Sequence, residues 1–389
     1  MNAKNSLWLP LTGFVVAAGA SLAGCELVAG LEDKEFVAPL TTTASVPARP
    51  AGARDASGKG RVVALAVKEF FYGTRRVSDR LADRGSWREI GFDLDGLCTK
   101  DVRISASNPA ACKIDAARST DLLEDGDGCR DNSFGRNVAN NTSLNQAGDF
   151  DALTNTSIAD GTTPTYVIVL EDYDEGDDDP YVPGTIYLTE STPKQDVEQL
   201  WNADTLRTLA KGTYSFPEGY RRGNTWVAGD PDVGERTFPF VLWERQVDLK
   251  AQMVVFTLQL RNGGRGGALG NVGFSVEGQV LGTSLAPLIT DLLLVRRLGA
   301  DLNQCPAAAS NTQLLLSGVA AFVDLAQVGP GEKRPVDNSA DCSTLSVGLA
   351  FEAVPTQVPT GGEGSKPASP PTLCNLPPAG RAGASEASG

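Results

Sequence analysis

Closely spaced carboxylates in residues 124–132 are the side chains of this chain that best suit metal chemistry. Asp125, Asp127 and Asp131 surround Gly128 in the pattern Asp-x-Asp-Gly-x-x-Asp. Calcium binds six to eight oxygens, which closely spaced carboxylates can supply, and a glycine allows such a loop to turn sharply. The spacing therefore predicts Asp125, Asp127 and Asp131 as candidate calcium ligands.

This loop matches known calcium motifs only in part. It is similar to a portion of a thrombospondin type-3 repeat, but Leu123 stands at the preceding ligand position. An EF-hand requires Glu at its last position, where this chain has Phe134. The alternative interpretation is an Asp/Gly turn whose side chains cap backbone amides. The sequence leaves both interpretations open.

A second acidic run places seven acids in the nine residues 171–179. Mutual repulsion makes such a run costly unless water or a cation neutralises it. A solvated loop after a strand at 166–170 is the simpler interpretation. The two acidic loops could share an ion only if the fold brings them together.

The chain contains no histidine. This excludes a Ser-His-Asp triad, a Cys-His pair, a His-ligated zinc and a histidine general base. Ser191 and Lys194 formally match the Ser-x-x-Lys of penicillin-recognising enzymes, but the accompanying elements are absent or out of order. Paired carboxylates for glycoside hydrolysis stay open, because that chemistry depends on a distance across a cleft. We therefore expect a non-catalytic surface binding or structural module, with a carboxylate-based polysaccharide hydrolase as the alternative.

Six cysteines beyond residue 25 predict a disulfide framework, since an even number is typical of exported chains. They are Cys98, Cys112, Cys129, Cys305, Cys342 and Cys374. No C-x-x-C pair supports a zinc site. Three of them lie in residues 98–129 and three in 305–374, so full pairing requires an odd number of bridges between the groups. At least one bridge should tie the beginning of the body to its end.

An apolar segment at residues 7–23 runs into the sequence Leu22-Ala23-Gly24-Cys25. A basic start, an apolar stretch and small residues at its end are typical of a signal segment. The four residues resemble the lipobox of bacterial lipoproteins. An uncleaved membrane anchor is the alternative, because this length is near the lower limit for spanning a bilayer.

The lipobox resemblance implies a location for the protein. In that family the peptide is cut before the cysteine and the thiol is acylated, so Cys25 would become a lipid-bearing N-terminus. Glu26 is not the aspartate that retains many such lipoproteins at the inner membrane. We therefore expect an outer-membrane lipoprotein that faces the periplasm or the exterior.

The net charge of the chain limits the kinds of molecule that it can bind by electrostatic attraction. The whole chain carries −14, and removal of residues 1–24 removes one lysine and no acid, which leaves −15. Such a surface gives no electrostatic footprint for nucleic acid and does not adhere to anionic membranes by charge. We expect membrane contact through the lipid alone, no nucleic-acid partner, and a polysaccharide or protein ligand at the cell surface.

Further stretches resemble a pattern in myxobacterial-type secreted lipoproteins of unknown function. They are residues 25–31, 87–99, 112, 127–128 and 131–135. The resemblance implies export and lipid anchoring, and it implies no activity.

Hydrophobic alternation organises the body. Apolar residues alternate with polar or small ones at 256–260, 272–276 and 345–353, which is typical of half-buried strands. Shorter strand candidates are 62–67, 166–170, 186–188 and 238–243, and helix candidates are 288–296 and 314–325. The glycine-rich segment 262–267 joins two alternating strands and predicts a hairpin connection, since a phosphate-binding loop would need a helix after it.

These patterns predict a mainly β fold, an antiparallel β-sandwich of jelly-roll or lectin-like type, held by disulfides and with few short helices. Residues 1–24 form the predicted signal peptide and 25–60 a flexible tether, because the tether is rich in Ala, Pro, Thr and Ser and lacks periodicity. We expect residues 61–355 to form a single β-sandwich domain. Residues 356–389 form a low-complexity tail, with Cys374 as its candidate point of attachment.

Overall fold

The computed structural model of the chain describes residues 44–52, 58, 60–99, 112–113, 124–140, 149–160, 165–174, 176, 178–189, 206–207, 214–230, 235–242, 245–278, 280–281, 322–326 and 340–356. Several predictions lie outside the described residues. They concern the signal peptide 1–24, Cys25, Ser191, Lys194, the helix candidate 288–296, Cys305, Cys374 and the tail beyond residue 356.

Antiparallel strands dominate the described chain. They are β1 (Arg61–Phe71), β2 (Tyr166–Tyr173), β3 (Asp178–Asp179), β4 (Gly184–Thr189), β5 (Leu206–Arg207), β6 (Ser215–Phe216), β7 (Tyr220–Arg222), β8 (Thr225–Gly229), β9 (Arg236–Leu242), β10 (Arg245–Leu260), β11 (Ala268–Glu277), β12 (Leu325–Ala326) and β13 (Cys342–Pro355). The helices include a 3₁₀ turn at Ser86–Glu89, a π-helix at Phe134–Ala139, α1 at Phe150–Ala159 and a 3₁₀ turn at Asn262–Gly264. The prediction of a mainly antiparallel β fold with disulfides and few short helices is confirmed.

These strands belong to one hydrogen-bonded sheet with the order β3-β7-β8-β10-β11-β13-β1-β2-β4-β5, to which β6, β9 and β12 attach through β4, β10 and β13. Strands β3 and β4 lie near opposite ends of this order. The connection from Asp179 to Gly184 nevertheless spans at most about 18 Å of extended chain. The sheet therefore curls until its ends approach each other. Trp226 on β8 joins the two ends, since its indole N–H donates to the carbonyl of Val182 at 2.8 Å.

The inner face of the curled sheet holds the hydrophobic core. The predicted alternation is confirmed in β10, β11 and β13, where inner-facing residues such as Phe274 and Val347 lie opposite each other and are fully buried. Aromatic rings from β1, β2, β9 and the helices meet edge to face in this core, as Phe70 and Tyr166 do with ring centroids 5.1 Å apart. Aromatic side chains bury large apolar areas, so this face supplies most of the driving force for folding.

The glycine-rich segment forms the predicted hairpin. Leu260 and Ala268 are the last opposed pair of β10 and β11. Between them Gly263 and Gly264 have φ of 62° and 88°. These left-handed values favour glycine because it has no Cβ.

Two disulfides lie in the described part of the chain. Cys98 bonds to Cys129, and Cys112 bonds to Cys342 across 230 residues of sequence. The second bridge joins the two cysteine groups, as the parity argument predicts. It ties the chain at Cys112 to Cys342, which is the first residue of β13.

Helix prediction was less successful than strand prediction. The candidate 314–325 is wrong at its end, because Leu325 begins β12 and pairs with Thr344. Helix α1 was not predicted, since its Thr, Asn and Ser residues have modest helix propensity. Its start is fixed by Asp149, whose side chain accepts hydrogen bonds from the first-turn amides. No helix in the described residues is long and apolar enough to cross a membrane.

The packed body begins before the predicted boundary at residue 61. Residues 44–52, within the predicted tether, lie against the body. The carbonyl of Ala44 accepts from the amide of Asp93 at 3.1 Å, and Arg49 donates to the carbonyl of Pro180 at 2.7 Å. The Arg49 guanidinium also lies 4.4 Å from the centre of the Tyr220 ring. Composition alone could not predict these contacts, because each partner is distant in sequence.

Asp151 on α1 holds the chain that leaves β1. Its carboxylate accepts hydrogen bonds from the amides of Tyr72, Thr74 and Arg75 at 2.8, 3.1 and 2.9 Å. Burial raises the pKa of Asp151 to about 7 against the lowering effect of these amides, and the nearby Asp149 carboxylate raises it further. The charge on Asp151 is therefore costly near neutral pH.

We expect Asp151→Asn to lower the free energy of unfolding by about 1–3 kcal/mol, because an amide N–H would face backbone donors. The folded-state pKa lies above the ordinary value of 3.8. The stability contributed by Asp151 is then complete below about pH 4 and is lost as the pH rises through about 7. Urea unfolding of wild type and variant should show a stability difference that shrinks over this range. A pH-independent difference would contradict the assignment.

Candidate metal centre

Two loops cover the outer face of the sheet over β11 and β13. The side-chain amide of Asn271 on β11 makes two hydrogen bonds with the backbone of Gly91. Its Oδ1 accepts from the Gly91 N–H and its Nδ2 donates to the Gly91 carbonyl, both at 2.9 Å. On β13 the amide of Gly348 donates to the side chain of Asn132 at 2.8 Å. A Cβ at Gly348 would come within 2.7 Å of Asn132. Polar and small residues on this face therefore fix the loops 90–99 and 124–133 side by side.

The two loops pair with each other, and this pairing gathers aspartates. The amide of Asp131 donates to the carbonyl of Phe92 at 2.9 Å. Phe92 and Leu94 are buried in an apolar cluster on the outer face. The residues that alternate with them, Asp93 and Asp95, have carboxylate oxygens within 4.8 Å of each other and of Asp131.

Asp131 lies at the centre of this group and is only 2% exposed. Its Oδ2 accepts hydrogen bonds from the amides of Leu94 and Asp95 at 2.6 and 3.2 Å. Its Oδ1 accepts no hydrogen bond from any residue that the structure describes. This oxygen can therefore accept from water, carry a proton or bind a cation.

Two further aspartates join the group. The amide of Thr99 donates to Oδ2 of Asp125 at 2.5 Å. Asp324, just before β12, accepts hydrogen bonds from the amide and hydroxyl of Ser346 on β13. Both carboxylates interact electrostatically with Asp95. We call the resulting set the acidic cluster: Asp93, Asp95, Asp125, Asp131 and Asp324.

Burial and nearby carboxylates disfavour the ionised forms of Asp125, Asp131 and Asp324 by raising the pKa of each. Burial, then the nearby carboxylates of Asp95 and Asp324, raise the pKa of Asp125 to about 9 although the Thr99 amide lowers it. The same causes raise the pKa of Asp131, with burial again the largest. Burial raises the pKa of Asp324 to about 7. Within the described residues, Asp125, Asp131 and Asp324 form no salt bridge. A cation would stabilise the ionised forms of all five groups.

The geometry fits calcium. Two oxygens on opposite sides of an ion with Ca–O distances of about 2.4 Å lie about 4.8 Å apart. The carboxylate oxygens of Asp93, Asp95 and Asp131 lie within this upper bound. Magnesium requires near-ideal octahedral geometry and loses its water ligands reluctantly, so a site made of several protein carboxylates suits calcium better.

Of the three predicted ligands, Asp131 belongs to the group within 4.8 Å, and Asp125 interacts with Asp131 electrostatically. The structure does not bring Asp127 to them. The Asp127 side chain is exposed, and its backbone carbonyl accepts a hydrogen bond from the guanidinium of Arg130. Asp127 therefore belongs to the turn that the alternative interpretation describes.

Sequence reasoning missed Asp93, Asp95 and Asp324. A signal existed for the first two, since Asp93-Leu94-Asp95-Gly96 repeats the Asp-x-Asp-Gly spacing of residues 125–128. No local pattern marks Asp324, because only the pairing of β12 with β13 brings it to the cluster.

The second acidic run has structural contacts of its own. Asp172 accepts hydrogen bonds from the amides of Gly58 and Gly60 at 3.2 and 2.8 Å. Asp178 pairs with Arg222 at 2.8 Å. None of the described residues of this run belongs to the acidic cluster.

The acidic cluster does not suit glycoside hydrolysis. A pair of catalytic carboxylates must line a cleft that a sugar chain can enter. Asp95 and Asp131 are instead 7% and 2% exposed. Their burial is typical of a site for a small ion.

Comparison of the whole chain with protein-family models, curated proteins and solved structures finds no match in any of the three.

Proposed function

We propose that this chain is a lipid-anchored protein of the cell envelope whose non-catalytic body is held together by calcium at the acidic cluster. The observation that carries the proposal is the convergence of the Asp93, Asp95 and Asp131 carboxylates within 4.8 Å. The Oδ1 of Asp131 also supports it, because that atom accepts no hydrogen bond from a described residue and is available as a ligand.

The ion acts as a structural link. Members of the acidic cluster come from the loop 90–99, the loop 124–133 and the segment before β12. A divalent cation neutralises their repulsion and joins the three segments on the outer face of the sheet. Extracellular calcium modules bind at about 10⁻⁴–10⁻³ M, so calcium outside the cell would keep the body closed.

The envelope location rests on the resemblance of Leu22-Ala23-Gly24-Cys25 to a lipobox. Acyl chains on Cys25 would anchor the protein at the outer membrane, facing the periplasm or the exterior. The disulfides Cys98–Cys129 and Cys112–Cys342 fit an oxidising compartment outside the cytoplasm. The body would then present a polysaccharide- or protein-binding surface, or serve as a structural component.

Calcium should stabilise the protein against heat. At tenfold excess over the dissociation constant, the ion adds about 1.4 kcal/mol to the free energy of unfolding. For a body of this size we expect a rise of about 2–3 °C in melting temperature between chelator and millimolar calcium, measured by calorimetry. Magnesium at the same concentration should give a smaller rise.

Two matched variants test where the ion binds. Asp95→Asn removes one charge from the cluster but keeps the Oδ1 that accepts from the Leu97 amide. It should abolish the calcium shift and leave stability in chelator equal or higher, because one repulsive charge is gone. Asp127→Asn changes an exposed aspartate of the neighbouring loop 124–133 and should keep the full shift. Equal shifts in both variants would refute the site.

The anchor has its own test. Mass spectrometry of the protein from its native membrane should find an N-terminal peptide that begins at an acylated Cys25. Cys25→Ser should release the protein from the membrane fraction. A free Cys25 thiol, or a chain that still begins at Met1, would contradict the anchor.

A further inference from the structure

We propose that the Cys98–Cys129 disulfide controls the cation site, so that the acidic cluster binds calcium only while this bridge is oxidised. The inference rests on the proposed calcium site and adds its regulation. Four of the five aspartates lie within five residues of one of these two cysteines in sequence. The bridge is therefore the covalent link between the two loops that supply most of the ligands.

The hydrogen bonds around the bridge tie it to the ligands. The amide of Thr99, next to Cys98, donates to the carboxylate of Asp125, and the amide of Asp125 donates back to the Thr99 carbonyl at 2.9 Å. On the other side, Asp131 follows Cys129 by two residues and pairs with Phe92. Reduction of the bridge therefore removes the covalent link between the loops 90–99 and 124–133.

The bridge keeps the ligand carboxylates close together. In the oxidised protein it is the covalent link between the two loops that bring the carboxylate oxygens of Asp93, Asp95 and Asp131 within 4.8 Å of one another. Once the bridge is reduced, only hydrogen bonds and the apolar cluster around Phe92 and Leu94 hold the two loops together, so the ligands are held less rigidly. The cation and the bridge thus stabilise the same closed arrangement, and by linkage each must favour the other.

The two disulfides differ in exposure. Cys98 and Cys129 are both half-buried. Cys112 and Cys342 are buried, and they pack with Val323 in an apolar cluster. A reductant in solution reaches the first bridge more readily, since thiol–disulfide exchange requires access to a sulfur atom. The second bridge therefore serves as an internal control.

The redox step requires a dithiol reductant. Its thiolate attacks one sulfur of Cys98–Cys129, a mixed disulfide forms, and the other cysteine leaves as a thiolate. The second thiol of the reductant then displaces the remaining cysteine and becomes part of a cyclic disulfide. Two electrons and two protons pass from the dithiol to the protein, which ends with two cysteine thiols.

The test measures reduction of each bridge in the full wild-type chain. Dithiothreitol is added in millimolar calcium, in magnesium or in chelator, and free thiols are alkylated and located by peptide mass spectrometry over time. Calcium at tenfold excess over its dissociation constant should slow reduction of Cys98–Cys129 about tenfold. It should slow reduction of Cys112–Cys342 less.

A variant provides the reciprocal measurement. Cys98→Ser/Cys129→Ser should bind calcium at least about tenfold more weakly by isothermal titration calorimetry, whereas Asp127→Asn should bind as wild type does. If the double variant does not fold, the reduction rates of the wild type decide. Calcium binding with unchanged reduction of Cys98–Cys129 would overturn this inference and leave the calcium site standing. Absence of calcium binding by the oxidised wild type would overturn both.

Discussion

The pairing register of β11 with β13 is the constraint on which the rest of the structure depends. It places apolar residues such as Phe274 and Val347 on the inner face and small or polar ones such as Ser275 and Ser346 on the outer face. Because side chains alternate strictly, a slip of one residue would exchange the two faces. The core and the acidic cluster would both be lost, since each uses one side of the same pair of strands.

Two buried acids, Glu352 on β13 and Asp131 in the loop that covers its outer face, have different surroundings. Glu352 is 5% exposed and pairs with Lys68, Arg80 and Arg261. Asp131 is buried as deeply, yet the other charged groups around it are carboxylates. A buried charge needs compensation, which arginine and lysine provide at Glu352. At Asp131 the described residues instead supply two backbone amides, those of Leu94 and Asp95, which donate to its Oδ2.

Covalent and noncovalent links hold different parts of the body together. Cys112–Cys342 and the inner core hold together segments far apart in sequence, which limits the conformations of the unfolded chain. On the outer face, by contrast, the loops are held by backbone hydrogen bonds, by Cys98–Cys129 and by their contacts with Asn271 and Gly348. The apolar cluster there, around Phe92 and Leu94, is much smaller than the inner core.

The sequence by itself determined the long strands such as β11 and β13, because alternation with period two follows directly from the geometry of an extended chain, but it did not mark short strands such as β8. It also predicted that a bridge crosses between the two cysteine groups, because parity requires one when all six are paired, but only the structure identified it as Cys112–Cys342. The prediction of half-buried strands was incomplete, since loops also cover the outer face at Ser346 and Ala350. Only the tertiary structure decided the acidic cluster. Asp125 and Asp131 have a recognisable spacing, but Asp324 reaches them from almost 200 residues away through strand pairing. A sequence pattern reflects only the geometry of neighbouring residues, whereas the distances between these carboxylates depend on strand pairing across the whole sheet.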